Sequence, residues 1–297
     1  MGNFAPHAVG LLKPLERWLE DRQVSEILLN RPGEVYVEKA GALERFEVPA
    51  LNERAVKMLF QLIANENQQA LNEKNPLLSA SLQDGSRVQI VLPPTAKSYT
   101  LSLRRKVARH LTLADYDTLN FYQQAVAFDV KKDHFSQLSV DEKHLVRLYQ
   151  EKNWSDFIRR AIELKKNLVI SGGTSSGKTT FLNACLRHIP MNERILLLED
   201  AREIDIPHPN QVSLLSSKGD QGLAKVSMQA LVQCCLRLRP DRIIVGEVRG
   251  QEVLDFLGAS STGHEGSITS IHANNPRVAF MRMTQLYKQN NVPSMTD

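Results

Sequence analysis

The segment Gly172–Thr179, "GGTSSGKT", matches the pattern G-x-x-x-x-G-K-[ST] and lies between a predicted strand and a predicted helix. Its residue types suit phosphate binding: glycines let backbone N–H groups converge on phosphate oxygens, and the lysine reaches the β- and γ-phosphates. The final threonine is suited to bind Mg²⁺. We therefore expect the nucleotide to contact Gly172, Gly173, Thr174, Ser175, Ser176, Gly177, Lys178, Thr179 and Thr180.

Such a loop needs a carboxylate at the end of a neighbouring strand, to hold Mg²⁺ and to orient the attacking water. Two apolar segments end in acidic residues: "ILLLED" ends in Glu199 and Asp200, and "RIIVGE" ends in Glu247. We expect both strand ends to face the nucleotide. Glu247 would support Mg²⁺ directly or through water. The sequence leaves open which of the three carboxylates is the general base.

Arginines are dense around the strand that ends in Glu247, at Arg237, Arg239, Arg242 and Arg249. For Arg237 and Arg242, a solvated helix end or an interaction with the helix dipole explains the residue as well as a functional role does. Arg239 and Arg249 bracket the strand. We expect these two to contact phosphate or to bridge to a neighbouring subunit.

The segment "STGHEGSITSIHANNP" carries His264 and His272. As zinc ligands the two histidines lack a convincing third partner, whereas zinc sites use three or four protein ligands. We predict that "GSITSIHA" is a parallel strand, entered from a turn at Gly263-His264 close to the γ-phosphate end of the site. His264 would then sense or polarise the phosphate. The role of His272 stays open between a hydrogen-bonding and a catalytic residue.

These motifs lie where continuous apolar strands alternate with helices, which is typical of an α/β fold with a parallel sheet covered on both faces. The preceding part mixes strands and helices in an α+β pattern. A polar stretch between them predicts a linker. We therefore predict an α+β N-terminal domain at 1–130, a linker at 131–150 and a P-loop domain at 151–297.

The composition is that of an ordinary protein without a membrane span, with 42% hydrophobic and 24% charged residues and a net charge of +4. Cys185, Cys234 and Cys235 form neither an even disulfide framework nor a CxxC pair. No apolar run approaches the roughly 18 residues of a membrane helix. We expect a cytoplasmic protein whose membrane contact, if any, is peripheral.

Four segments in order resemble the secretion ATPase superfamily of type II secretion, type IV pilus and type IV secretion motors. They are "GGTSSGKT", "LLLEDAREI", "RPDRIIVGEVRG" and "TGHEGSITSIHAN". The resemblance is greatest to the type IV secretion (conjugal transfer, VirB-type) ATPases, and "NPLLSASLQDGSRVQIVLPP" followed by "TLSLRRK" is similar to their N-terminal domain. The four-cysteine metal segment of many type II and pilus relatives is absent from the sequence, which favours the type IV branch.

The resemblance implies a homo-hexameric ring in which each chain holds ATP between an N-terminal α+β domain and a RecA-like domain. It implies that ATP and Mg²⁺ are the cofactors, and that hydrolysis to ADP and phosphate powers substrate export or pilus assembly. Inner-membrane components of the apparatus would be partners, with the ring peripheral at the cytoplasmic side of the inner membrane. The chain stops soon after "RVAFMRMTQLYKQN", where family members usually continue, so we expect either an incomplete sheet or a C-terminally truncated form of the sequence.

The same resemblance implies catalytic roles for Lys178, Glu199, Asp200 and Glu247 and a phosphate-sensing role for the histidine segment. Arg87 in "DGSRVQ" and Arg104 in "SLRR" match positions that the family turns toward the γ-phosphate. An arginine there would neutralise charge on the transferred phosphoryl group. Each arginine is alternatively a surface residue of a strand.

Three alternative functions remain. One is a type II secretion or pilus-retraction motor of the same superfamily. Another is a RecA-like nucleic-acid motor, but aromatic residues make up only 6% of the chain and no basic stripe carries interleaved aromatics. We therefore expect no direct nucleic-acid binding. The third is a regulatory protein that binds nucleotide without turnover.

Overall fold

The computed structural model describes residues 12–21, 23–82, 84–105, 111–127, 137–174, 176–216 and 226–289. The chain divides into two compact units. The first comprises the described residues of Met1–Ala108, Asp200–Glu203 and Ser216–Ser227. The second comprises those of Arg109–Glu199, Ile204–Leu215 and Met228–Asp297. The predicted end of the N-terminal domain, at residue 130, lies further along the chain than this division.

The first unit contains a six-stranded antiparallel sheet in the order β3-β2-β1-β6-β5-β4. Its strands are β1 (Val24–Leu29), β2 (Glu34–Lys39), β3 (Ala42–Glu47), β4 (Leu77–Ser81), β5 (Arg87–Val91) and β6 (Thr100–Arg104). A 3-10 turn at Lys13–Leu15 leads into α1 (Glu16–Glu20), and α2 spans Glu53–Glu66.

Helix α2 packs its apolar stripe into the core of the first unit. Asn52 caps the helix by accepting a hydrogen bond from the N–H of Ala55 at 3.0 Å. The buried side chains recur at helical spacing, at Val56, Leu59, Phe60, Ile63 and Ala64. Strands β5 and β6 bury alternate residues, so Arg87 and Arg104 project from the opposite face of the sheet.

The second unit contains a five-stranded sheet in the order β7-β11-β10-β8-β9, and all of its neighbouring strands run parallel. Its strands are β7 (Leu168–Gly172), β8 (Ile195–Glu199), β9 (Gln211–Leu215), β10 (Arg242–Val248) and β11 (Ile268–His272). Its helices are α3 (Leu113–Thr118), α4 (Val140–Gln150), α5 (Trp154–Glu163), α6 (Lys178–Leu186), α7 (Met228–Cys235), α8 (Glu252–Ser261) and α9 (Pro276–Lys288), with a 3-10 helix at Phe121–Gln124.

The predicted fold class, an α/β fold with a parallel sheet preceded by an α+β part, is confirmed. Residues 111–127 group with the second unit because Leu113 and Tyr116 of α3 are buried in the same core as Ile162 and Leu182. Within the stretch predicted as a linker, residues 140–150 form α4, and Ser139 precedes the helix as its N-cap. Ser139 and Glu142 cap that helix reciprocally.

Two elements differ from the sequence-based expectations. Strand β9, at the edge of the parallel sheet, was not predicted, because its residues are only partly buried or exposed and carry no continuous apolar run. The segment "SMQALVQCCLRLRP" has the apolar pattern of a single helix, but α7 covers only Met228–Cys235. Among the described residues, no helix combines the length and the apolar character that a membrane crossing requires.

Candidate nucleotide-binding site

The segment Gly172–Thr179 connects the carboxyl end of β7 to the amino end of α6. Gly177 precedes the first residue of α6 and has φ +85°, a left-handed conformation that favours glycine. A Cβ atom on Gly172 would lie 2.5 Å from Ser176 Oγ and 2.9 Å from Lys178 Cγ. A side chain at Gly172 would displace Ser176 or Lys178, and one at Gly177 would strain the backbone, so the turn favours glycine at both positions. Ser175 lies outside the described residues.

Lys178 is the first residue of α6, and its ammonium group turns back over the loop. Nζ donates to the carbonyl oxygens of Gly172 at 2.9 Å and Gly173 at 2.7 Å. Ser176 Oγ also donates to the carbonyl of Gly173, at 2.9 Å. The loop is thus a closed turn that brings a lysine, several backbone N–H groups and the positive end of a helix together.

Thr179 and Thr180 follow Lys178 in the first turn of α6 and are half-buried. Their position satisfies the strand–loop–helix context that the motif requires. Thr174 lies at the exposed part of the loop. With Ser175 excepted, the structure therefore brings all the sequence-predicted loop residues together.

A cavity of about 900 Å³ opens beside the loop and is lined partly by Gly172, Ser176, Gly177 and Lys178. The remaining wall is mainly apolar and includes Tyr116, Phe121, Leu168, Ile170 and Phe181. This volume lies within the range of small-molecule sites, roughly 300–1,000 Å³. The cavity therefore provides space for an organic ligand next to a phosphate-binding loop.

Glu199 is the last residue of β8 and Glu247 is the second-to-last residue of β10, and these two strands are direct neighbours in the parallel sheet. Glu199 is 3% exposed, and its Oε1 accepts a hydrogen bond from the N–H of Ile204 at 2.7 Å. Glu247 is more accessible, with 21% side-chain exposure, and its Oε2 accepts from Arg249 Nη2 at 2.8 Å. The two acids that look alike in the sequence therefore have different environments.

Glu247 lies on the same edge of the sheet as the loop, because parallel strands end together. Strand β11 separates β10 from β7, so the two carboxyl ends are two strand spacings apart, about 10 Å. Ser270 Oγ on β11 donates to the carbonyl of Gly246 at 2.6 Å, which ties β11 to the residue before Glu247. The sheet therefore brings Glu247 to the edge from which the loop extends.

The residues of this edge have the oxygen donors that Mg²⁺ prefers. Mg²⁺ is usually held by one or two carboxylates together with substrate phosphates and water. The hydroxyl of Thr179 and the carboxylate of Glu247 fit that set. In the described part of the chain, no group of three or more His, Cys, Asp and Glu side chains could hold a metal ion.

Asp200 and Arg87 pair within the first unit. Asp200 follows β8 in the chain, and its Oδ1 accepts from Arg87 Nη2 at 3.3 Å. Arg87 Nε also lies 2.9 Å from Glu203 Oε1. The guanidinium of Arg87 therefore contacts two carboxylates of the Asp200–Glu203 segment.

Arg104 lies directly opposite Arg87 across β5 and β6. It is exposed, and its Nε lies 3.5 Å from Glu26 Oε1 on β1. Opposed residues of an antiparallel pair share one face of the sheet. The structure therefore brings together the two arginines of the first unit that the sequence singled out.

Two predicted site residues lie away from the loop. His264 precedes β11, and Arg239, with φ +55°, precedes β10. Because the strands are parallel, both residues belong to the amino edge of the sheet, whereas the loop follows the carboxyl end of β7. This corrects the expectation that His264 lies close to the γ-phosphate end, since the whole of β11 separates it from that edge. Arg239 is exposed.

Of the two histidines that the sequence singled out, His272 contacts the loop. It pairs with Gly172 across β11 and β7. Its Nδ1 lies 3.1 Å from the carbonyl oxygen of Gly172 and 3.3 Å from Lys178 Nζ. Its Nε2 lies 2.9 Å from Thr174 Oγ1. The signal in the sequence was its position at the end of a strand, since every parallel strand ends at the ligand-binding edge.

The core around α6 is apolar and buried. Burial raises the pKa of the Cys185 thiol to about 12, so this cysteine stays protonated and serves as an apolar packing residue. Burial also raises the pKa of Tyr116, on the apolar wall of the cavity. These side chains support the helix that carries Lys178 and Thr179.

Comparison with known proteins agrees with this geometry. A family model described as Type II/IV secretion system protein matches residues 11–294. The type IV secretion system protein VirB11 of Bartonella henselae is 37% identical over 286 residues, covering 94% of this chain and 80% of that protein. Protein VirB11 of Agrobacterium fabrum is 35% identical over 280 residues, with the same coverage of 94% and 80%.

The crystal structure of the pilus retraction motor PilT with bound ADP superposes with a TM-score of 0.58 at 19% identity. The superposition covers 93% of this chain and 71% of that chain. At this identity the likeness shows a shared fold. The family match and the VirB11 relatives go further: the chain belongs to the type II/IV secretion system protein family, in agreement with the predicted type IV secretion branch.

Proposed function

We propose that this protein is an ATPase that hydrolyses Mg-ATP to ADP and phosphate and powers substrate export or pilus assembly in a type IV secretion apparatus. The observation that carries the proposal is the loop between β7 and α6, where Lys178 Nζ lies over the carbonyls of Gly172 and Gly173. A lysine, a helix amino end and glycine-permitted backbone together suit the β- and γ-phosphates.

In the proposed reaction, the backbone N–H groups at the start of α6 hold the phosphates and Lys178 neutralises their charge. The Thr179 hydroxyl would hold Mg²⁺ directly, and the Glu247 carboxylate would hold it through water. When bound, Mg²⁺ neutralises negative charge that develops on the phosphate oxygens. The apolar wall beside the loop excludes water from the remainder of the nucleotide.

We assign the orientation of the attacking water to Glu247 rather than to Glu199. Glu199 is nearly inaccessible and holds the N–H of Ile204, which shapes the chain after β8. Glu247 is accessible at the carboxyl edge, and Arg249 contacts it at 2.8 Å. A general base must reach the proton that it accepts, and Glu247 meets that requirement better.

From the family relationship, we infer that Arg87 and Arg104 stabilise charge on the transferred phosphoryl group. Their adjacency across β5 and β6 supports a joint role. Arg87→Ala and Arg104→Ala should each lower turnover by about 1,000-fold, as for other arginines in this role. Arg45→Ala, on β3 of the same sheet, is the control. Unchanged turnover in the first two variants would remove these arginines from the mechanism.

The active assembly is a homo-hexamer at the cytoplasmic side of the inner membrane, in contact with inner-membrane components of the apparatus. The VirB11 relatives support this inference because they are type IV secretion system proteins. Two measurements on the purified chain test the function: phosphate release in Mg-ATP, and particle mass by light scattering with and without Mg-ATP. We expect turnover and a six-chain particle. Absence of turnover would contradict the enzyme assignment, and a stable monomer would contradict the ring.

A further inference from the structure

His272 contacts the phosphate-binding loop at three places. Strand β11 brings it level with Gly172, the residue at which β7 ends and the loop begins. Its Nδ1 lies 3.1 Å from the carbonyl oxygen of Gly172 and 3.3 Å from Nζ of Lys178. Its Nε2 lies 2.9 Å from the hydroxyl of Thr174. One imidazole therefore spans the start of the loop, its exposed part and its lysine.

Both neutral tautomers of His272 maintain this bridge. With the proton on Nδ1, the ring donates to the Gly172 carbonyl and accepts from the Thr174 hydroxyl. With the proton on Nε2, the ring donates to the Thr174 hydroxyl and accepts from the Lys178 ammonium. In each tautomer, one hydrogen bond joins the ring to Thr174, and the other joins it to Gly172 or to Lys178.

Among the described residues of the loop, few side chains can pack, so an external contact would help to hold its conformation. Gly172, Gly173 and Gly177 have no side chain, and Ser176 uses its hydroxyl on the carbonyl of Gly173. Strand β11, in contrast, is buried from Ile268 to Ile271 and pairs on both sides, with β7 and β10. His272 therefore connects a glycine-rich loop to a rigid element of the core.

We propose that His272 is a positioning residue. It holds the loop in its phosphate-binding conformation through its contacts with Thr174, Gly172 and Lys178. This inference rests on the proposed nucleotide binding. A residue that positions the loop acts on every nucleotide that the loop holds. Its loss therefore weakens ADP and Mg-ATP equally, whereas the loss of a contact to the γ-phosphate alone weakens only Mg-ATP.

The test is a double-mutant cycle read by calorimetric titration with ADP and with Mg-ATP. His272→Ala and Thr174→Val should each lower affinity for both nucleotides by about tenfold, since each removes hydrogen bonds of the bridge. The double variant should bind about as weakly as His272→Ala alone, because the two residues act through one contact. His144→Ala, on α4, is the control and should bind like the wild type.

A conservative variant separates the bridge from a general packing effect. In His272→Gln the amide reaches about as far as Nε2, so affinity should largely return when Thr174 is present and should be lost again in combination with Thr174→Val. Thermal unfolding of each variant checks that the fold is retained.

The outcomes are distinct. Wild-type protein that binds neither nucleotide would contradict the proposed function itself. If the wild type binds both nucleotides, but the losses of affinity in His272→Ala and Thr174→Val multiply in the double variant, the two residues act independently and the bridge is overturned. A loss confined to Mg-ATP in His272→Ala would overturn loop positioning and assign the residue to the γ-phosphate.

Discussion

Glu199 and Glu247 lie at the carboxyl ends of neighbouring parallel strands, but Glu199 is buried and accepts a hydrogen bond from the N–H of Ile204 at 2.7 Å, whereas Glu247 is accessible beside Arg249. This difference predicts different defects. Glu247→Gln should lower turnover by about 100-fold or more, the usual contribution of a general base, with nearly unchanged unfolding temperature. Glu199→Gln should instead lower the free energy of unfolding by about 1–3 kcal/mol, since it weakens a buried charge-assisted hydrogen bond.

Steady-state phosphate release and urea unfolding of the same preparations check this pair. If Glu199→Gln abolishes turnover while it leaves stability unchanged, and Glu247→Gln turns over normally, the assignment of the two carboxylates is reversed.

The left-handed conformation of Gly177 gives a second prediction, with a matched control in the same chain. Gly177 and Gly41 both have φ +85°, and neither would place a Cβ atom within 4 Å of another group. Alanine at either position should therefore cost a similar backbone strain, about 1–2 kcal/mol of unfolding free energy. Only Gly177→Ala should weaken nucleotide binding, because it alone distorts the loop. Equal nucleotide affinity of the two variants would show that the loop tolerates the change.

Arg242 and Glu193 form a buried ion pair in the second unit. The guanidinium is fully buried, with Nε 2.6 Å from Glu193 Oε2 and Nη2 3.1 Å from Oε1. Glu193→Gln leaves an uncompensated buried charge and should destabilise the protein by about 3–5 kcal/mol. The exposed pair of Lys57 and Glu53, at 2.7 Å, is the control: Glu53→Gln should change stability by less than about 1 kcal/mol. Chemical denaturation measures both, and equal small effects would refute the burial argument.

The three cysteines should differ in reactivity. Burial raises the pKa of the Cys185 and Cys235 thiols to about 12, whereas Cys234 is exposed. A raised pKa keeps a thiol protonated at neutral pH, and the thiolate is the species that alkylates. Mass spectrometry after iodoacetamide treatment should show one adduct on the folded protein, at Cys234, and three after denaturation. Modification of Cys185 in the folded protein would contradict its burial.

The nucleotide loop and the acidic residues at the strand ends could be predicted from the sequence, because both depend on residues that are close together in the chain. Gly172, Lys178 and Thr179 lie within eight consecutive residues, and Glu247 follows the apolar run of β10. The roles of the two histidines could not be predicted in the same way, because they depend on which strand pairs with β7. Once β11 pairs with β7, His272 meets Gly172 and His264 falls at the opposite edge of the sheet. Pairing order is a tertiary property that local pattern does not determine.

The different burial of Glu199 and Glu247 also depends on tertiary structure. Both follow continuous apolar runs, but the chain after Glu199 turns back so that the N–H of Ile204 meets its carboxylate. Strand β9 was missed for a related reason: an edge strand with partly exposed residues lacks the apolar run that identified β8 and β10.

The central claim is that Lys178 in the loop after β7 binds the phosphates of ATP, and its most direct test is a calorimetric titration of Mg-ATP into wild-type protein and Lys178→Ala. Lys288→Ala, which removes an exposed lysine at the end of α9, controls for net charge. The account predicts binding by the wild type and Lys288→Ala, and at least a tenfold loss, about 1.4 kcal/mol, in Lys178→Ala. Equal Mg-ATP affinity of Lys178→Ala and the wild type, with both proteins folded, would contradict it.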